Sequence, residues 1–159
     1  MSGIDAGQLK HLVVAPALAA LGLDGDVAVN LVTGTALAES RGTYVRQIGG
    51  GPALGLWQME PATHDDCWVN FLCYPAGRRF ERILEGMLSQ DLPKSAQLVS
   101  NLRYASAMAR IRYYRTPVSL PSSSDPAVLS RFHKQYYNTA AGAADPVANI
   151  PFFRQAVMV

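Results

Sequence analysis

Apolar residues recur every three or four positions along most of the chain, and no stretch of useful length alternates between apolar and polar residues. Because side chains three and four positions apart share one face of a helix, this spacing predicts a mainly α fold. The first apolar face ends at Gly22, a residue type common at helix C-termini, and Pro16 is expected to bend or restart the helix. This face comprises Leu9, Leu12, Val13, Ala17, Leu18 and Leu21.

The next segment, residues 27–38, contains no charged residue. A helix that is apolar nearly all round is normally buried, so we predict a central core helix here. Asp24 or Asp26 is expected to cap its N-terminus, and Gly42 is expected to end it. The side chains within it that can form hydrogen bonds are those of Asn30, Thr33 and Thr35.

The rest of the chain alternates between further helical patterns and stretches rich in glycine or proline. Residues 43–58 are expected to form a loop with at most a small hairpin around 44–48, since consecutive glycines and Pro52 disfavour regular helix. Residues 117–126, rich in Ser and Pro, are predicted to be another loop. Additional helices are predicted over residues 61–71, 76–90, 95–114, 127–137 and 147–158.

Length and composition indicate one globular domain, residues 1–159. Hydrophobic residues make up 49% of the chain and charged residues 16%, without the charge excess typical of disorder. The apolar run at residues 10–21 is too short for a membrane helix of about 20 residues, and Asp5 lies where a signal peptide carries positive charge. Neither a signal peptide nor membrane insertion is expected.

Basic residues are not numerous enough to favour nucleic acid as a partner, because the net charge is only +2. The polar face of the predicted 95–114 helix carries Arg103, Arg110 and Arg115, which we interpret as a solvated basic face. An alternative is that these arginines contact an anionic polymer or phosphates. A helical nucleic-acid binder is a further alternative, and it would lose affinity steeply with salt.

Neither a metal nor another cofactor is expected. His64, Asp65, Asp66 and Cys67 are consecutive, and consecutive helical side chains point about 100° apart, so they cannot converge on one ion. Cys67 and Cys73 are the only cysteines, and we interpret them as reduced thiols.

Glu39 is the first ionisable residue after Asp26, at the C-terminal end of the apolar segment. Burial and the negative end of the helix dipole both favour the protonated form of a carboxyl group, which is the form that a general acid requires. The alternative is a surface glutamate paired with Arg41 or Arg46.

The surrounding residues resemble a known family. Residues 38–40 read A-E-S and residues 55–63 read G-L-W-Q-M-E-P-A-T, which is similar to the E-S … G-L-M-Q-x-x-P-x-T signature of soluble lytic transglycosylases and goose-type lysozymes. Asn101-Leu102 with Tyr104, followed by Tyr113-Tyr114, resembles the N-[IL] … Y-L helix of that family. Residues 136–142 resemble its A-Y-N-A-G turn, and residues 47–66 resemble small lysozyme-like proteins of tailed bacteriophages.

The resemblance implies a lysozyme-like domain that cleaves the β-1,4 bond between N-acetylmuramic acid and N-acetylglucosamine, with Glu39 as the catalytic residue. Gly55 would let backbone approach a sugar, Leu56 or Trp57 would pack on a pyranose face, and Gln58 would donate to an N-acetyl or hydroxyl oxygen. Alternatively, Gln58 caps the next helix, Trp57 belongs to the core and Thr63 bonds within its own helix. The implied substrate-binding residues are Ser40, Gly55, Leu56, Trp57, Gln58, Thr63, Tyr104, Tyr137 and Asn138.

The partner that the resemblance implies is the peptidoglycan glycan strand, and the likeness to phage proteins adds other phage virion proteins as partners. The expected location is the virion or the host cytoplasm, with action on the periplasmic wall.

No carboxylate lies between Glu39 and Glu60, and later candidates are Asp65 and Asp66. A single carboxylate suits a lytic transglycosylase, in which one glutamate is first acid and then base. The alternatives are a hydrolytic muramidase and a non-catalytic glycan-binding component of the virion.

Overall fold

The computed structural model describes residues 2–138 and 142–159, and this part of the chain is mainly helical. In place of strands it has two isolated β-bridges, which pair Arg46 with Leu54 and Leu54 with Met59. The predicted mainly α class is confirmed. The eight helices of the described residues are α1 (residues 6–21, comprising Ala6–Gln8, the π-helical Leu9–Val14 and Ala15–Leu21), α2 (Asp26–Ser40), α3 (residues 61–72, comprising Pro61–Cys67 and the π-helical Trp68–Leu72), α4 (Arg78–Glu85), α5 (Gln97–Ser100), α6 (Leu102–Tyr114), α7 (residues 126–138, comprising Pro126–His133 and the π-helical Lys134–Asn138) and α8 (Ile150–Met158).

Helix α2 is the buried central helix that the sequence predicts, since every residue from 31 to 37 is buried. It packs most closely on α8 at Gly34, where an added Cβ would lie 2.3 Å from the ring of Phe153. The prediction of an aspartate cap was wrong: the N-cap is Gly25, and Asp26 is the first helical residue. The helix ends at Ser40, where Arg41 and Gly42 adopt left-handed φ values of 56° and 63°.

Helix α1 ends at Gly22 as predicted, with a left-handed φ of 67°. One position of its predicted apolar face was wrong, because Leu12 is 70% exposed. Leu12 lies within the π-helical turn Leu9–Val14. A π-helical turn contains more residues than an α-helical turn, so it rotates the later positions away from the α-helical register.

A single long helix was predicted over residues 95–114, but the structure has two helices there, α5 and α6, which are separated at Asn101. Asn101 has φ −102° and ψ 86°, outside the helical region, and its Oδ1 accepts a hydrogen bond of 3.0 Å from the backbone N–H of Tyr104. The prediction that Arg110 faces solvent was wrong: Arg110 is buried, and its Nε donates to the carbonyl oxygen of Leu23 at 3.0 Å.

In the loop between α2 and α3, the small hairpin allowed for around residues 44–48 is reduced to an antiparallel bridge between Arg46 and Leu54, with one flanking hydrogen bond on each side. The backbone N–H of Gln47 donates to the carbonyl oxygen of Ala53 at 3.0 Å, and that of Gly55 donates to Val45 at 2.8 Å. This loop and α3 form one side of the candidate site. None of the helices in the described part of the chain is long and apolar enough to cross a membrane.

Candidate active site

An open cleft of about 780 Å³ lies at the C-terminal end of α2. One wall comes from the loop after α2 and the start of α3, and the other comes from the end of α7 and the segment that precedes α8. The residues that line it are Ala38, Glu39, Tyr44, Gln47, Ile48, Ala53, Gln58, Glu60, Thr63, Arg112, Tyr137, Asn138, Gly142, Ala143, Ala144, Asp145, Ala148 and Asn149.

Glu39 lies in the last turn of α2 and lines the cleft, with 16% of its side chain exposed. Its Oε1 lies 2.7 Å from Nε2 of His133, which comes from α7. The alternative that Glu39 pairs with Arg41 or Arg46 is wrong for the described residues, where its side-chain partner is His133. The apolar helix therefore delivers one partly buried carboxyl group to the cleft.

The G-L-W-Q segment forms a compact loop that turns its residues in opposite directions. Leu54 and Met59 close it with reciprocal backbone hydrogen bonds of 3.0 and 3.1 Å. Gly55 and Gln58 have left-handed φ values of 75° and 46°. As a result Gln58 lines the cleft, where its Nε2 donates to the carbonyl oxygen of Gly55 at 2.8 Å, rather than capping α3.

Trp57 and Leu56 point away from the cleft, so the prediction that one of them packs on a pyranose ring was wrong. Trp57 is only 1% exposed, and its indole N–H donates to the carbonyl oxygen of Val32 in α2 at 2.8 Å. Leu56 is also buried in the core. The alternative reading of Trp57 as a core residue is confirmed.

The close backbone approach at Gly55 involves protein rather than sugar. A Cβ at Gly55 would lie 2.0 Å from the carbonyl oxygen of Leu98. Gly55 does not line the cleft. The prediction of a sugar contact at this glycine was therefore wrong, and its absent side chain instead lets the loop pack on α5.

Ser40 and Tyr104 also lie outside the cleft, against the prediction that they bind substrate. The Ser40 hydroxyl donates to the carbonyl oxygen of Ala36 at 3.0 Å and accepts from the backbone N–H of Gly42 at 3.2 Å, so it stabilises the end of α2. Tyr104 is fully buried, with its hydroxyl 2.6 Å from Nε2 of His64 and 2.9 Å from Nε1 of Trp68. Both residues are structural.

Tyr137 and Asn138, two of the implied substrate-binding residues, lie on the wall opposite Gln58, and Thr63 also lines the cleft. The Tyr137 hydroxyl donates to the carbonyl oxygen of Trp57 at 2.8 Å, across the two walls. Burial raises the pKa of this hydroxyl far above its usual range, so it remains a neutral donor. Asn138 Oδ1 accepts from the backbone N–H of Ala144 at 3.2 Å. Residues 139–141 of the predicted turn lie outside the described residues.

The sequence analysis missed several residues of the cleft. His133 is four positions before Tyr137 and four after Leu129. This spacing places it on the apolar face of α7 and could have predicted that its side chain is buried. Tyr44 and Ile48 carry exposed apolar side chains in the cleft wall, but nothing in the spacing of the loop predicts their orientation.

The cleft contains more than one carboxylate. Glu60 and Asp145 line it together with Glu39, and Arg112 adds one positive charge. Asp65 and Asp66 do not line it. Asp65 lies 2.8 Å from His64, and Asp66 pairs with Arg115 at 2.7 Å, a contact that lowers the pKa of Asp66.

No group of three or more His, Cys, Asp or Glu side chains in residues 2–138 and 142–159 is arranged to hold a metal ion. No protein-family model, no curated protein and no solved structure matches the chain.

Proposed function

We propose that the chain is a peptidoglycan glycosidase that cleaves the β-1,4 bond between N-acetylmuramic acid and N-acetylglucosamine, with Glu39 as its catalytic acid and base. The observation that carries the proposal is the meeting of Glu39, Gln58 and Asn138 in one open cleft, although they come from three separate segments. These three residues belong to three of the four sequence elements that resemble the transglycosylase and goose-type lysozyme signatures. The lysozyme-like scaffold and the phage setting, in a virion or the host cytoplasm, are part of the same proposal.

The proposed reaction begins with Glu39 in its acid form. Glu39 transfers its proton to the glycosidic oxygen as the bond from that oxygen to C1 of N-acetylmuramic acid breaks, and the 2-acetamido group stabilises the resulting cationic centre. The Glu39 carboxylate then accepts the proton of the 6-hydroxyl as its oxygen bonds to C1. The product is a 1,6-anhydro sugar, and Glu39 is protonated again.

Contacts with the glycan would come from both walls of the cleft. Tyr44 and Ile48 offer exposed apolar surface on which a pyranose ring can pack, a role that Trp57 cannot take because it is buried. Gln58 and Asn138 supply amide groups for hydroxyl and N-acetyl oxygens. We therefore expect substrate affinity to depend on Tyr44 rather than on Trp57.

Hydrolysis is the second candidate reaction. It is supported by Glu60, a second carboxylate that lines the same cleft as Glu39. The sequence places no second carboxylate close to Glu39, which favours a transglycosylase, yet in the fold Glu60 and Asp145 both line the cleft. A second carboxylate can activate water in a glycosidase. In that case water, and not the 6-hydroxyl, would attack C1, and the product would have a reducing end.

The proposal is tested by digesting purified peptidoglycan with the wild-type protein and separating the muropeptides. Anhydro ends support the transglycosylase reaction and reducing ends support hydrolysis, whereas glycan binding without either product supports a non-catalytic component. Glu60→Gln separates the two reactions further. We expect it to leave the rate nearly unchanged, because the transglycosylase route needs no second carboxylate; a loss of about 100-fold or more with reducing ends would instead assign Glu60 as the base for water.

A further inference from the structure

We propose that His133 is a positioning residue for Glu39: its Nε2–H holds Oε1 of the carboxyl group, which makes Oε2 the oxygen that carries the transferable proton. The contact is a side-chain hydrogen bond of 2.7 Å between residues 94 positions apart. The kinetic part of this inference rests on the proposed function, while the hydrogen-bond arrangement does not depend on it.

The proton of His133 is assigned by the surroundings of its two ring nitrogens. Nδ1 is buried and has no hydrogen-bond partner among the described residues, whereas Nε2 faces Glu39. A proton on Nδ1 would leave a buried N–H without an acceptor, at a cost of about 1–3 kcal/mol. An imidazolium would leave that same buried N–H without an acceptor. The neutral tautomer with its proton on Nε2 is the state that matches these surroundings.

The imidazole ring packs against two aromatic rings. It stacks on Tyr137 with ring centres 5.8 Å apart and an interplanar angle of 22°. Phe153 lies 5.5 Å away on α8, and only 1% of the His133 side chain is exposed. Tyr137 is held in turn through its hydroxyl on Trp57. This packing restricts rotation of the His133 ring and keeps its Nε2 directed at Glu39.

This arrangement makes the two oxygens of Glu39 different from each other. A carboxyl group without a fixed partner can carry its proton on either oxygen, and only one of them can face the bond that breaks. The neutral N–H of His133 can donate to Oε1 whether Glu39 is a carboxylic acid or a carboxylate, because Oε1 accepts a hydrogen bond in both states. His133 can thus keep its hydrogen bond while Glu39 changes from acid to base.

The tautomer is tested by the imidazole ¹⁵N chemical shifts of His133 in the wild-type protein. We expect a protonated Nε2 and an unprotonated Nδ1 at neutral pH, with the Nε2 signal shifted in Glu39→Gln. Protonation of Nδ1, alone or together with Nε2, would overturn the assignment. This measurement needs no substrate and no variant of His133.

The positioning role is tested by kinetics on peptidoglycan with two variants. His133→Phe keeps the ring packing but removes the donor, and we expect kcat to fall about 10- to 150-fold with KM nearly unchanged, as for loss of a hydrogen bond to a charged group. His133→Gln restores an N–H donor and should recover much of kcat. A His133→Phe protein that is folded by circular dichroism and retains the wild-type kcat would overturn the role, and so would a His133→Gln protein no more active than His133→Phe. If the wild-type protein releases no glycan ends, the proposed function fails and the kinetic role fails with it, while the ¹⁵N shifts still decide the tautomer.

Discussion

The indole N–H of Trp57 donates a hydrogen bond of 2.8 Å to the carbonyl oxygen of Val32, in the middle of the central helix. This contact ties the loop that carries Gln58 to the helix that carries Glu39. The Trp57 carbonyl oxygen also accepts from the Tyr137 hydroxyl at 2.8 Å, so the same residue joins the opposite wall. The relative position of the cleft residues is thus set by a buried residue that does not line the cleft.

Trp57→Phe should destabilise the protein by about 1–3 kcal/mol, because it removes the indole donor and leaves the Val32 carbonyl oxygen without that partner. It should also raise KM, since the loop bearing Gln58 loses its attachment to α2. Urea unfolding and glycan cleavage are the measurements. Trp68→Phe is the matched control, as it removes an indole hydrogen bond to Tyr104 away from the cleft. Equal KM values in the two variants would contradict the linking role.

Gly55→Ala should destabilise the fold much more than Gly50→Ala. Both glycines have similar left-handed φ values, 75° and 83°, so the backbone strain of an alanine is comparable. At Gly50 a Cβ meets nothing within 4 Å, whereas at Gly55 it collides with the Leu98 carbonyl oxygen. The difference in the free energy of unfolding between the variants should be about 1–3 kcal/mol or more. If both variants lost the same free energy of unfolding, the packing of this loop on α5 would contribute nothing to stability.

His64 should make the fold less stable in mild acid. Burial lowers its pKa below the ordinary value of 6.5, against the opposing effect of Asp65. The unfolded chain therefore binds the proton more tightly, so the stability contributed by neutral His64 is complete above pH 6.5 and is lost as the pH falls through the folded pKa.

His64→Gln should accordingly flatten the dependence of the free energy of unfolding on pH between about 7 and 5, by at most about 1.4 kcal/mol per pH unit. Urea titrations across this range provide the measurement. His11→Gln, at an exposed position, is the control and should keep the wild-type slope. A His64→Gln protein with an unchanged slope would contradict the assignment.

Tyr44→Ala should raise KM about tenfold while leaving the free energy of unfolding nearly unchanged. Tyr44 is 38% exposed and lines the cleft, and burying an aromatic ring against a ligand contributes about 1.4 kcal/mol or more. Tyr74→Ala removes a ring that is 56% exposed outside the cleft and serves as the control. Matching KM values for the two variants would exclude Tyr44 from glycan binding.

The helices could be predicted where one local cause decides the structure. The charge-free composition of residues 27–38 is enough to bury α2, and Pro61 is enough to begin α3. The separation at Asn101 could not be predicted, because the apolar spacing continues through it. Helix α5 ends there because the backbone of Asn101 is not helical. The Asn101 side chain stabilises this conformation by accepting a hydrogen bond from the backbone N–H of Tyr104.

The cleft was predictable in outline but not in the direction of its side chains. Glu39, Gln58, Tyr137 and Asn138 were all expected to meet, and all line the cleft. The inward turn of Trp57 depends on a left-handed φ at Gln58, which residue preference does not indicate for a non-glycine residue. The contact from His133 to Glu39 spans 94 positions, so it depends on tertiary packing that the spacing of residues along the chain does not indicate.

The central claim, that Glu39 is the catalytic residue, is tested most directly by the rate at which Glu39→Gln releases glycan ends from purified peptidoglycan. We expect a loss of at least about 100-fold relative to wild type with an unchanged fold, because glutamine cannot transfer a proton. Glu85→Gln, at an exposed surface ion pair with Lys94, should cleave at the wild-type rate. A Glu39→Gln protein that cleaves as fast as wild type would contradict the claim.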